Sequence, residues 1–299
     1  MKNRLRLTKS SAIGYLLILF GLLFVTVPLI RRSYNDYSAI ASQKNFEKVQ
    51  AQRSEAEVLE ETENAKEYNE IVKNSDITVS DPFTAEDYET RYEKFTQTNT
   101  PFAYLSIPKL DKHLPLYLDA TLDHISLGVA QVDGTSIPIG GAGTRSVIAG
   151  HRGWWTDTMF LYIDQLEPGD YIYVERAEET MRYVVKDKEV IGPYDWDKLA
   201  PRGNEDILTL MTCSPFLPPR PNRLLVNGYR DESAIAEEFK IPGKELPASQ
   251  NMEAETKTDN MVKVTRIVTL VFAILGTILF ILTLIRFIRR LKINIAYSK

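Results

Sequence analysis

Two stretches of this chain carry no charge, and neither is at ease in water. One is IGYLLILFGLLFVTVPLI, from Ile13 to Ile30, and the other is IVTLVFAILGTILFILTLI, from Ile267 to Ile285. Each approaches the roughly 20 apolar residues that a helix needs to cross the core of a bilayer. A cleaved signal peptide is the alternative for the first run. That run is long for a signal core, however, and Arg31-Arg32 follows it instead of a small-residue cleavage pattern, which favours an uncleaved anchor. A single span plus an interfacial helix is the alternative for the pair. Lys2, Arg4, Arg6 and Lys9 precede the first run, while Arg286, Arg289, Arg290 and Lys292 follow the second. Positively charged flanks stay in the cytoplasm, so both termini read as inside and the stretch from about Arg31 to Arg266 reads as outside.

The 299 residues leave room for one substantial domain with appendages, or for two small ones. A net charge of -4 gives no reason to expect nucleic acid as a partner. The chain has a single cysteine, Cys213, which excludes an internal disulfide and a multi-cysteine metal site. A lone thiol is more often packing than chemistry. Outside the cell, though, a cysteine is normally paired or absent, so an unpaired one there raises the odds of a function.

Between the apolar runs the texture changes twice. Ser33 to about Lys73 lacks Gly and Pro and is rich in Glu, Lys, Gln and Ala, which predicts an exposed or partly docked helical stalk, with a disordered acidic linker as the alternative. Asp81-Pro82 then suits a turn, and Thr84 with Asp87 resembles a capping box opening a short helix that runs to about Phe95. From Phe102 to about Tyr229 come short β-prone runs separated by turns: FAYLSI, HLPLYL, SVIAGH, DYIYVE, MRYVVKDKEVI, ILTLMTC and RLLVNGY. That spacing predicts a barrel or a sandwich. One helix is expected around DTMFLYIDQL, ended by Pro168-Gly169. Beyond Asp231 the chain is acidic and polar until the second apolar run.

Few residues in this β-rich region can carry chemistry. His113 and His124 read as surface residues, the latter in a polar turn. His151 ends the run SVIAG between glycines, where another group has room to approach closely. Cys213 ends another run, and Arg223 opens a third. If those strands are neighbours, the three side chains converge at one sheet edge. A positive neighbour favours a thiolate, a histidine can hand a proton to a leaving amine, and an arginine offers fixed donors to an oxyanion. Together these groups suit acyl transfer through a thioester.

TLMTC, from Thr209 to Cys213, resembles the sortase signature Thr-Leu-any-Thr-Cys, while AGHRG around His151 and RLLVNG from Arg223 match that family's other two active-site segments in the right order. The similarity spans roughly Phe83 to Tyr229. It implies a mainly β fold, a closed sortase-type β-barrel with short helices, preceded by a helical segment and flanked by two transmembrane helices. The second apolar run and DPF at Asp81 to Phe83 resemble class C, the pilin-polymerising sortases, in which an Asp-Pro-aromatic lid covers the site. Carried over, Asp81 faces Arg223 and Phe83 covers Cys213; an ordinary Asp-Pro turn is the alternative. Gln131 and Leu118-Asp119 depart from the family pattern, which has His and His-Gly there. Trp154 and Trp155 shape a groove or simply pack, and the second is slightly favoured.

The resemblance implies that Cys213 attacks the Thr carbonyl of an LPxTG-like signal, with Thr212 lining the substrate groove. His151 protonates the leaving amine, and Arg223 steadies the oxyanion. A Lys amine of a second pilin then resolves the thioacyl enzyme. No cofactor and no metal take part, although a calcium site elsewhere stays open. The expected layout is a cytoplasmic segment 1–12, a span 13–30, a stalk 31–75, a lid region 76–100, a barrel 101–232, an acidic linker 233–266, a span 267–285 and a basic tail 286–299. Two rivals remain: a housekeeping or class B-like sortase that anchors proteins to peptidoglycan, and a non-catalytic envelope scaffold with a buried Cys213.

Overall fold

A computed structural model of the chain describes residues 8–74, 79, 81–83, 100–153, 157–176, 179–231 and 260–296. The Thr84–Phe95 helix, Trp154-Trp155 and most of the acidic linker lie outside these residues. Two units are compact in themselves. One holds the apolar helices and the other the β-rich region.

The apolar helices are α1 (Lys9–Gln50) and, after the β-rich region, a helix of 37 residues (Asn260–Ala296). Both are long and apolar enough to cross a membrane. The second starts seven residues before the apolar run, inside the stretch read as linker, because MVKVTRI holds no helix breaker. The two helices pack antiparallel. Tyr15 meets Phe287 with ring centroids 5.7 Å apart, and Arg266 lies over Tyr37 at 5.9 Å and within 4.0 Å of Asp36. Midway, a Cβ added to Gly276 would lie 2.6 Å from the Thr26 hydroxyl, so only glycine allows the helices to approach so closely.

The expected stalk is two helices instead of one. A turn at Ala51–Ser54 separates α1 from α2 (Glu55–Asn74). α2 starts with a reciprocal cap, in which the Ser54 and Glu57 side chains each accept the other residue's N–H. It is docked rather than exposed. The Asn69 amide takes both backbone groups of Ile137, accepting its N–H at 2.7 Å and donating to its carbonyl at 3.1 Å, as a neighbouring strand would. Tyr68 bonds Asp133 at 3.1 Å, and Arg176 reaches Glu61 at 2.6 Å.

The β-rich region is a closed barrel. Its strands are β1 (Ala103–Ile107), β2 (Lys112–Tyr117), β3 (Val129–Gln131), β4 (Arg145–Ala149), β5 (Tyr171–Arg176), β6 (Glu179–Ile191), β7 (Ile207–Ser214) and β8 (Asn222–Arg230), in the order β1-β2-β3-β4-β7-β8-β6-β5. Closure leaves no free sheet edge. The sequence marked seven of the eight strands. It did not mark β3, whose three residues are too short for a period-2 pattern to register.

Two further expectations fail here. Asp157–Leu166 does not form a helix. It makes turns and a single 3-10 turn at Ile163–Gln165, because Phe160, Ile163 and Leu166 all drop into the core without a helical face. His124 is not a surface residue. It lies on a short helix α3 (Leu122–Leu127), is 6% exposed, stacks on Tyr117 at 4.9 Å and bonds the Asp119 carbonyl at 2.8 Å. The departure at Gln131 is also accommodated internally, since its buried amide donates to the carbonyls of Val132 and Thr135.

Candidate active site

Barrel order makes β4, β7 and β8 consecutive neighbours, which is the condition for the three candidate residues to meet. β4 runs parallel to β7, with Ala149 opposite Met211, and β7 runs antiparallel to β8, with Cys213 directly opposite Arg223. His151 follows two residues beyond β4, on a chain still held to β7 by the Gly150 N–H on the Met211 carbonyl at 3.1 Å. Gly150 is needed here. A Cβ at this position would sit 2.6 Å from the Phe160 ring, so a core aromatic fills the space beside it and no ligand does.

Over this edge lies Asp81-Pro82-Phe83. The Asp81 carboxylate grips Arg223 through both oxygens, with Nε to Oδ1 at 3.3 Å and Nη2 to Oδ2 closer still. The same Oδ1 accepts the Phe83 N–H at 3.1 Å, so one short side chain closes an Asx turn and neutralises the arginine. Phe83 is then set between two of the candidates. Its ring lies 5.8 Å from the His151 ring and 5.1 Å from the Arg223 guanidinium carbon. With Val79 and Trp196 it packs on the core cluster that includes Ile191, Met211 and Leu225.

All three nitrogens of Arg223 are engaged. Its remaining Nη1 donates to the carbonyls of Arg220, Pro221 and Asn222, at 3.3, 3.3 and 2.9 Å. Burial pushes the Cys213 thiol above the usual cysteine range, and Asp81 pushes the same way, outweighing the pull of Arg223, Arg220 and Arg152 toward the thiolate. Burial also holds the His151 imidazole below its ordinary value. A neutral thiol and a neutral imidazole under an aromatic cover describe a resting site.

Thr212 is placed differently from its reading as a groove residue. It is fully buried, and its hydroxyl donates to the Gly150 carbonyl at 2.7 Å, tying the chain before His151 to the chain before Cys213. The alternation of β7 accounts for this, since Thr212 and Cys213 point to opposite faces. Two arginines that the sequence reading passed over also stand at the site. Arg152 bonds the Cys213 carbonyl at 3.1 Å, and Arg220 bonds the Arg152 carbonyl at 3.1 Å. The motif AGHRG already contained Arg152, but only its histidine has a chemical role that a sequence pattern can suggest.

Residues 105–231 match the family model described as the sortase domain. The fold matches the crystal structure of sortase C-3 from Streptococcus pneumoniae at a TM-score of 0.59 and 36% identity, covering 65% of this chain and 98% of that one. The chain belongs to the sortase family. Sortases are cysteine transpeptidases. A second structure, Streptococcus pneumoniae sortase C, whose description concerns catalysis and pilin substrate specificity, matches at a TM-score of 0.57 and 30% identity, over 64% of this chain and 96% of that one. Sortase A of Bacillus anthracis is 29% identical over 109 residues, 36% of this chain and 50% of its own. The chain spans half or less of the length of the curated relatives it matches.

Proposed function

We propose that this chain is a pilus-assembly transpeptidase held in the membrane at both ends of its sortase barrel. Cys213 attacks the Thr carbonyl of an LPxTG-like signal on a secreted pilin, and the tetrahedral oxyanion draws its stabilisation from Arg223. His151 takes the Cys213 thiol proton as the sulfur attacks and passes it to the departing Gly amine, leaving a thioester on Cys213. A Lys amine from another pilin then attacks that thioester, and His151 takes up its proton as the isopeptide bond forms. Water must stay out while the thioester waits, since hydrolysis would release an uncoupled pilin.

The observation that carries this reading is the engagement of Asp81 and Phe83 with Arg223 and His151. The donors an oxyanion needs are occupied by a carboxylate, which is a fitting stand-in for it. Substrate entry therefore requires Asp81-Pro82-Phe83 to leave. Departure removes a negative charge and admits water, and both changes lower the thiol pKa. A lid closed about 99% of the time would weaken apparent substrate affinity about 100-fold. Thr212 in this account positions the two strand ends and does not touch substrate.

Membrane placement follows from the apolar helices. Their antiparallel packing, with Tyr15 level with Phe287 and Tyr37 level with Arg266, supports both termini on one side. The basic flanks assign that side to the cytoplasm and the barrel to the exterior.

The acceptor is tested with the full chain in detergent micelles, an LPxTG-type peptide, and two competing amines: a pilin domain bearing a surface Lys, and a peptidoglycan cross-bridge peptide. Coupling to the pilin Lys that disappears in Cys213→Ala is the expected result. Coupling only to the cross-bridge amine would replace the pilus reading with the anchoring one.

A further inference from the structure

Arg152 is a buried guanidinium that the acyl-transfer scheme does not use. Its side chain is 4% exposed and spends its donors unusually. Nη1 donates to the main-chain carbonyl of Cys213 at 3.1 Å. Nη2 pairs with Asp164 Oδ1 at 3.2 Å, and the guanidinium carbon lies 5.3 Å from the centre of the Phe216 ring. Nε is buried with no hydrogen-bond partner among the described residues. The Arg152 carbonyl in turn accepts Arg220 Nη1 at 3.1 Å, and Arg220 also holds the Phe216 carbonyl, at 2.8 and 3.1 Å.

The β4–β7 ladder explains why the contact falls where it does. In this parallel pairing the Gly150 N–H donates to the Met211 carbonyl at 3.1 Å. The next rung, two residues on in both chains, would carry the Arg152 N–H to the Cys213 carbonyl. The chain has turned away by then, with the Gly153 N–H on the His151 carbonyl at 2.8 Å and Gly153 at φ +80°. The side chain of the same residue supplies the missing donor. Thr212 closes the rung before it through its bond to Gly150. Two side chains thus extend the ladder past the end of β4, to the residue that carries the thiol.

We propose that Arg152 is a positioning residue for the reaction: it fixes the Cys213 main chain by acting as the last rung of the β4–β7 ladder, and it keeps a positive charge beside the thiol whether the lid is open or shut. In the closed state Asp81 offsets part of the pull of Arg223 on the thiol, whereas Arg152 is not paired with Asp81. The partner of Arg152, Asp164, is 43% exposed, so water screens that counter-charge. A guanidinium suits the role better than an ammonium, since its planar fork serves the carbonyl and the carboxylate at once.

This inference rests on Cys213 being the nucleophile, and its test separates the two claims. The full chain in micelles, with the lid opened by Asp81→Ala and Phe83→Ala, is compared with added Arg152→Gln, Arg152→Lys or Asp164→Asn. The rate of Cys213 alkylation by iodoacetamide is followed against pH, together with peptide-cleavage kcat and KM and the thermal midpoint. Arg152→Gln is expected to move the alkylation profile to higher pH and to lower kcat about tenfold or more with KM little changed, the scale on which a loosened reacting group fails. Arg152→Lys should restore the alkylation profile but only part of kcat. Should Arg152→Gln fail to fold, Asp164→Asn carries the test: it keeps the guanidinium, frees it from its anchor, and should lower kcat while moving alkylation to lower pH. Alkylation and kcat within twofold of the parent in whichever of these two variants folds would overturn the proposal. Cleavage surviving Cys213→Ala would instead overturn the acyl-transfer reading, while the alkylation profiles would still report on the charge at Arg152.

Discussion

Asp81 uses one carboxylate for two purposes, and its length is what allows both. Oδ1 closes the turn onto the Phe83 N–H while the pair of oxygens holds Arg223. A glutamate would reach the arginine but not its own turn. Asp81→Ala with Phe83→Ala is therefore expected to speed labelling of Cys213 by small thiol reagents. It should also shift the labelling profile toward lower pH. The sign follows from the causes: burial and Asp81 both raise the thiol pKa, and opening the lid removes Asp81 and reduces burial while Arg223, Arg220 and Arg152 remain. Stopped-flow alkylation across pH measures this. An unchanged rate and profile would show that the Asp-Pro-Phe turn does not cover the thiol. At this scale the sequence singled out residues by their type and order. Cys213, His151, Arg223, Asp81 and Phe83 all come together at one barrel edge. It could not disclose Arg152, nor the contact by which Thr212 ties Gly150, because both depend on a ladder register that exists only once β4 and β7 are side by side.

Among the elements, the strands were readable because short runs rich in Val, Ile, Leu and Tyr lie between clear turns; most are buried along their length, and only β2 and β6 alternate. The errors have a common physical origin. Tertiary burial overrides local pattern in Asp157–Leu166, where Phe160, Ile163 and Leu166 pack inward from turns. In α3 a polar-looking stretch is capped by Thr121, whose hydroxyl accepts the His124 N–H at 3.2 Å, and the same residue's ring is buried against Tyr117. α2 ends seven residues before Asp81 and is held to the barrel region by the Asn69 contacts to Ile137. The apolar helices offer a separate test. In a Cys213→Ala background, Thr26→Cys with Gly276→Cys should form an intramolecular disulfide on mild oxidation, because Thr26→Cys removes the clashing hydroxyl and a Cβ at 276 would lie 3.5 Å from that of residue 26, within the span of a disulfide. Non-reducing electrophoresis after proteolysis between the helices reports it. Cross-links found only between chains would contradict the pairing.

Across the whole chain, the account joins a membrane hairpin to a barrel whose active edge is shut at rest. Each part has a separate physical basis. The two apolar helices are long enough to cross a bilayer, and a closed barrel places three adjacent strand ends in register. A short turn carries both a carboxylate for the arginine and an aromatic for the histidine. The outline of this arrangement was readable from two uncharged runs and three short motifs, since both signals are local in sequence. The docking of α2 and the extension of the β4–β7 ladder depend on contacts between distant residues and had no local signature. The central claim is that Cys213 forms a thioester with a sorting signal once the lid is open. Intact-mass spectrometry of the full chain in micelles, with Asp81→Ala and Phe83→Ala and an LPxTG-type peptide, tests it most directly. The account predicts an adduct equal in mass to the peptide up to its Thr less one water, mapped to Cys213, discharged by hydroxylamine and absent in Cys213→Ala. No adduct in the lid-opened chain, or an adduct that survives Cys213→Ala, would contradict it.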